Sequence, residues 1–147
     1  FYPFVISTTK LFPVFSEELI PVGNNLLRVI ISLMVIIVNL ISVIAILRLG
    51  TKSGNLTNRG IVTGFPYNIV RHPDYSMQIL YAILLTIPIF FVGEFTSVEK
   101  IFYTFAMLVW VFLFYLRAIT EERNLIKDEE YQKYVEKVKY RFIPYLL

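Results

Sequence analysis

Between Arg28 and Arg48 the chain runs for 19 residues without a charge. A hydrocarbon core ~30 Å thick takes about 20 helical residues to cross. Inside it every backbone N–H and C=O must be satisfied within the segment. The run therefore predicts a transmembrane helix over Leu26 to Leu49, its arginines snorkelling to opposite interfaces. Asn39 and Ser42, the polar residues within it, are expected to hydrogen-bond across helices. With one span fixed, the rest has to be read as membrane protein, and composition agrees. Apolar residues are 56% and charged ones 17%, against about 45–50% and about 25% in soluble domains.

The second span is expected over Tyr75 to Val92, with Asp74 as its N-cap and a kink at Pro88. A short turn, Gly93 to Lys100, would set Glu94 and Glu99 against Lys100. The third span, Ile101 to Leu116, is short, but its helix can continue through Arg117 into Glu121-Glu122-Arg123. Phe1 to Val22 is broken by Pro3, Pro13 and Pro21 and reads as the tail of a preceding helix or as a re-entrant or interfacial piece. Gly50 to Asp74 is a loop longer than a connection needs, which points to function. From Asp128, Tyr131, Tyr134, Val135 and Val138 recur at helical spacing in a charged amphipathic helix. Arg141-Phe142-Ile143-Pro144 is expected to lie back on the membrane surface. The fold class is an all-α integral membrane protein in one domain, residues 1–147. It has an N-terminal membrane-associated segment (1–25), spans at 26–49, 75–92 and 101–116, and a C-terminal amphipathic cytoplasmic helix.

Lys and Arg counts set the orientation. The loop after the first span has four with Arg48, the turn after the second has one, and the chain from Arg117 onward has seven. The long loop and the C-terminal tail therefore share one face, the cytoplasmic one. Other classes fall away. The net charge is +3 with no separate basic arm, a poor fit to nucleic acid. With no Cys and a single His, disulfides, thiolate metal sites and multi-histidine metal sites are excluded.

Sharing a face brings Arg71-His72-Pro73-Asp74-Tyr75, at the mouth of the second span, toward Glu121-Glu122, just past the third. Arg71 offers a donor fork for a carboxylate or phosphate. His72 donates or accepts, and Pro73 fixes the backbone before the helix. Glu121 and Glu122 suit an ammonium or ribose hydroxyls, while Tyr67 and Tyr75 add π faces for a cation. A matching ligand carries a carboxylate, an ammonium, an aromatic ring and a further positive charge, and S-adenosylmethionine has all four. Each part alone has a plainer reading. Arg71 and His72 fit the positive-inside bias, the glutamates fit a solvated helix paired with Arg117 or Arg123, and Tyr131 and Tyr134 fit interfacial packing.

Taken jointly the pattern resembles the isoprenylcysteine carboxyl methyltransferase and phospholipid methyltransferase family. The resemblance runs from about Leu49 to Pro144. It rests on Leu49-Gly50, Gly64, Tyr67, Arg71-His72-Pro73-Asp74-Tyr75, Arg117, Glu121-Glu122, Leu125, Tyr131, Tyr134 and Ile143-Pro144. It implies methyl transfer from S-adenosylmethionine at the cytoplasmic membrane face to a lipid-like or prenylated acceptor among the membrane lipids. Cofactor roles carry over to Arg71, His72, Pro73, Tyr75, Glu121 and Glu122. Backbone near Ile61, Val62 and Gly64, with Tyr67, would cover the cofactor, and the helix of Tyr131 and Tyr134 would act as a lid. Two departures bear on the substrate side: Met77 stands where many members have Gly, and the Gly64–Tyr67 segment is one residue longer than the common form.

A carboxylate acceptor is already ionised at neutral pH and needs no base; Arg117, a turn before Glu121, is the candidate to orient it. An amine or thiol acceptor needs a proton taker, and His72 is the only histidine for that. A nicotinamide-dependent membrane reductase of the steroid-reductase kind is the alternative enzyme, against which stands Gln78 where that group favours Glu. A non-catalytic membrane subunit is the third reading. No span carries a Gly-x-x-x-Gly dimerisation motif, so the oligomeric state stays open.

Overall fold

The computed structural model describes residues 25–50, 61–91 and 95–144. Phe1 to Val22, Lys52, Arg59 and Glu94, on which expectations above rest, lie outside the described residues. Within them the chain is all-helical: α1 (Asn25–Leu49), α2 (Pro73–Phe91), α3 (Ser97–Leu125) and α4 (Glu129–Lys137). The first three are long and apolar enough to cross a membrane.

The buried residues of α1 are Ile31, Val35, Val38, Ser42 and Ala45, alternating steps of four and three that draw one stripe along the helix. Ile31, Val35 and Val38 pack with Leu84 of α2, flanked by Leu27, Met77, Leu80, Tyr81 and Leu85. Most of the remaining surface of α1, including Leu33, Ile37, Leu40 and Val43, is exposed, as lipid-facing residues are in an isolated chain. Toward its C-terminal end the stripe shrinks to Ser42 and Ala45, where the mouth of α2 comes close. There Ser42 donates to the Asp74 carboxylate, and Gln78 Nε2 lies 3.4 Å from Ser42 Oγ. The expected interhelical role of Ser42 is met. Asn39 instead donates to Val35 O of its own helix at 2.8 Å, because its position faces outward, away from α2. Past Leu49, Gly50 turns left-handed at φ 49°, a conformation that costs a side chain and ends the helix.

α2 is the middle helix, packed on α1 and on α3. It starts one residue earlier than Asp74 allows for a cap. The carbonyl of His72 accepts Ser76 N at 3.0 Å, so His72 holds the cap position and Pro73 the first helical one. That suits proline, whose missing N–H would have no intrahelical partner there. Asp74 is thereby released to face Ser42. The helix runs on through Pro88 to Phe91.

α3 begins with a capping box in which Thr96 Oγ1 accepts Glu99 N and Glu99 Oε2 accepts Thr96 N. Glu99 is thus tied to the cap, not set against Lys100. The helix has 29 residues, about 43 Å at ~1.5 Å per residue, well beyond an ~30 Å core. Its continuation past Leu116 carries Arg117, Glu121 and Glu122 out of the apolar layer on rigid helix. Near that end Tyr75 of α2 meets Phe114 (5.4 Å between centroids), which meets Trp110 edge-on (5.3 Å).

A short turn leads to α4, capped by Asp128 through Glu130 N at 2.7 Å. Tyr131, Tyr134 and Val138 bury its apolar face against Ile61, Leu125 and Val135. The chain then folds back as a strap, residues 138–142. Tyr140 O and Arg141 O accept Arg71 N and His72 N at 2.9 and 3.0 Å, and Phe142 is buried while Ile143 stays exposed. The segment ahead of α2 has no helical partners for those N–H groups, so an extended strap supplies them.

Candidate active site

Three pieces of chain converge where α2 begins: the Arg71-His72 segment, the overhang of α3 and the strap. On α3 the only buried residues are Ala118 and Glu122, one turn apart and therefore on one face, turned toward α2. Glu122 is the hub. Its Oε1 accepts from Arg71 Nε at 2.8 Å and from His72 Nε2 at 3.2 Å, and its Oε2 accepts from Arg141 Nε at 2.8 Å. A carboxylate only accepts, so His72 Nε2 carries the proton in this contact. Burial makes the arrangement consequential: the Arg71 and Glu122 side chains are 7% and 11% exposed. Charges this deep stay ionised only when paired and hydrogen-bonded. Arg71 Nη1 also reaches Val138 O and Lys139 O of the strap at 3.3 and 3.2 Å.

Glu121, one residue earlier and about 100° round the helix, faces a different group. Tyr75 donates its hydroxyl to Glu121 Oε1, and Arg117 Nε bonds the same oxygen at 3.3 Å. The Arg117 guanidinium stands over the Tyr75 ring, 5.3 Å from its centroid. His72 also stacks on Tyr75, its ring nearly parallel at 5.4 Å between centroids, with Nδ1 3.9 Å from Glu121 Oε2. The result is one continuous polar chain from Arg117 through Glu121, Tyr75, His72 and Glu122 to Arg71 and Arg141.

Of the site residues expected from sequence, Arg71, His72, Tyr75, Glu121, Glu122 and Arg117 come together, with Pro73 fully buried beneath them. The loop residues stand apart from that chain. Ile61 packs on α4, Val62 is half-buried, and Gly64 lies beside the Arg48 guanidinium. Tyr67 is buried. Its hydroxyl donates to Ala45 O at 3.2 Å and its carbonyl accepts the Tyr134 hydroxyl at 2.7 Å, so it locks the loop between α1 and α4. Burial pushes the phenols of Tyr67, Tyr131 and Tyr134 well above their ordinary range. Nearby carboxylates, Asp74 at Tyr67 and Glu122 at Tyr131 and Tyr134, push the same way.

Sequence reasoning missed Arg141, Phe142 and Ser76. Ser76 Oγ donates to Phe142 O at 2.8 Å, and the Phe142 ring lies 5.9 Å from that of His72. Arg141 stood out only as one basic residue among several in the tail, and no local spacing pairs it with Glu122.

No curated protein and no solved structure matches the chain. The model of the isoprenylcysteine carboxyl methyltransferase family matches residues 28–127, from the start of α1 to the end of the α3 overhang. That stretch holds the three spans and both halves of the buried cluster except Arg141. The chain therefore belongs to the isoprenylcysteine carboxyl methyltransferase family and is a multi-pass membrane methyltransferase of that kind.

Proposed function

We propose that this chain transfers a methyl group from S-adenosylmethionine to an acceptor borne on a prenyl or other lipid chain, with its site on the cytoplasmic face. The observation that carries the reading is the buried Arg71–His72–Glu122 cluster continuing into Tyr75–Glu121–Arg117 at one end of the spans. Bound there, the cofactor supplies an electrophilic methyl group on a sulfonium. The donor set fits a zwitterionic, cationic ligand. Arg71 has a fork for a carboxylate, Glu121 and Glu122 accept from an ammonium or from ribose hydroxyls, and the Tyr75 face already receives a cation in Arg117. A zwitterion can exchange ion-pair partners with Arg71 and Glu122, so neither buried charge is left unpaired during binding.

Arg117 is the residue suited to orient an acceptor carboxylate. It is half exposed, and two of its contacts, Glu121 and the Tyr75 ring, sit at the rim of the cluster. Such an acceptor is ionised at neutral pH, so positioning supplies much of the acceleration. For an amine acceptor, His72 Nδ1 is the available proton taker, since Nε2 donates to Glu122.

The test is binding of S-adenosylhomocysteine to detergent-purified protein by calorimetry. Arg71→Ala removes one of the two arginine partners of the buried Glu122, so Arg71→Lys, which keeps the charge and loses the fork, is the cleaner control. Saturable binding that weakens strongly in Arg71→Lys supports the reading. Folded protein that binds no S-adenosylhomocysteine refutes it.

A further inference from the structure

Glu122 is anchored on both carboxylate oxygens, and the second anchor comes from outside the stretch that the family model matches. The terminal torsion of a glutamate is broad and roughly two-fold. One bonded oxygen therefore leaves the carboxylate plane free to turn, and two bonded oxygens fix it. Arg71 and His72 hold Oε1 from the α2 side, and Arg141 Nε holds Oε2 from the strap.

Arg141 is itself aimed by backbone. Tyr140 O and Arg141 O accept from Arg71 N and His72 N, and Phe142 O accepts from Ser76 Oγ. These three bonds set the strap in register with the very segment whose side chains hold Oε1. Arg141 then reaches Glu122 as a consequence of that register, while its side chain remains 39% exposed on the outer side of the cluster. Its neighbour Lys139, by contrast, is exposed and contributes only its carbonyl to the cluster.

We infer that Arg141 is a positioning residue of the cofactor site: through Oε2 it fixes the plane in which Glu122 meets the cofactor. The inference rests on the reading of Glu122 as a cofactor contact, and it makes the C-terminal strap a working part of the site. A positioning role acts on the geometry of Glu122 and so affects every ligand that Glu122 touches. A bulk charge effect would instead separate the sulfonium cofactor from its uncharged-sulfur product.

Calorimetric affinities for S-adenosylmethionine and S-adenosylhomocysteine, measured on wild type, Arg141→Gln and Arg141→Lys, test it. Arg141→Gln is expected to weaken both ligands alike by about tenfold, the loss of one charge-assisted hydrogen bond. Its thermal midpoint should stay near wild type, because the three backbone-carbonyl bonds of the strap remain. Arg141→Lys should recover part of the loss. Wild-type affinity in Arg141→Gln, or a loss confined to one ligand, overturns the inference. If Arg141→Gln fails to fold, Arg141→Lys decides: intermediate affinity supports positioning, and wild-type affinity overturns it. Absence of binding in folded wild type refutes the cofactor reading itself, and the inference with it. Wild-type binding with an unaffected Arg141→Gln refutes only the role of Arg141.

Discussion

Replacing Glu122 by Gln removes one charge from a cluster in which Arg71 is 7% exposed and Glu122 11%. The amide oxygen still accepts one hydrogen bond, but the amide nitrogen now faces a guanidinium donor where an acceptor stood. Arg71 keeps the strap carbonyls of Val138 and Lys139 and loses its counter-charge. Breaking a buried pair from one side costs about 3–5 kcal/mol. The open flank at Arg141, 39% exposed, lets water compensate part of this, so roughly 3 kcal/mol is expected. At about 2–4 °C per kcal/mol for a chain near this size, the thermal midpoint in detergent should fall by roughly 6–12 °C. Glu121→Gln is the internal control. Its partners are Tyr75 and the half-exposed Arg117, and such a pair is worth about 0–1 kcal/mol. Differential scanning fluorimetry of both variants in one detergent checks the contrast. Equal midpoints for the two variants would refute the view that Glu122, and not Glu121, is the structural hub.

Tyr134→Phe removes the donor to the buried carbonyl of Tyr67 and should cost about 1–2 kcal/mol in denaturant unfolding; a change lost in the error would mean that water or another donor takes over. Ser42→Ala cuts the α1–α2 tie to Asp74 and is expected to cost about 0.6 kcal/mol, the mean for interhelical hydrogen bonds in membranes; a larger loss would point to Asp74 being stranded. The buried phenols of Tyr67, Tyr131 and Tyr134 have raised values, so the folded state keeps protons that the unfolded chain releases above pH about 10. Their contribution is present in full below that pH and is lost as pH rises through the folded values. Thermal midpoints measured from pH 8 to 11 should hold level and then decline, whereas a level profile to pH 11 counts against the burial of these rings.

Much of the architecture was legible because a membrane reduces folding to a few one-dimensional constraints. The charge-free run between Arg28 and Arg48 implies a span by length alone, and α1 ends within a residue of that expectation. Lys and Arg counts put the Arg71 segment and the Glu121-Glu122 pair on one face before any contact was known. The continuation of the third helix past Arg117 followed from its lack of Pro or Gly.

Local chemistry was less legible. Asp74 is a good cap by propensity, yet Pro73 takes the first helical position and shifts the cap to His72. Tyr67, expected to cover the cofactor from the loop, also ties that loop to α1 through its hydroxyl and to α4 through its carbonyl. Both outcomes depend on what lies opposite, which propensity does not contain.

The sequence by itself determined the three spans, their common polar end and most of the polar residues gathered there, since spacing and charge suffice for these. Only the tertiary structure separated Glu122 from Glu121, because adjacent helical residues differ by about 100° in direction and the packing of α2 chooses which one turns inward. It alone brought in Arg141. The strap's register is fixed by backbone bonds to Arg71 and His72, some 70 positions away in the chain, and a pairing at that separation leaves no periodic trace in a sequence.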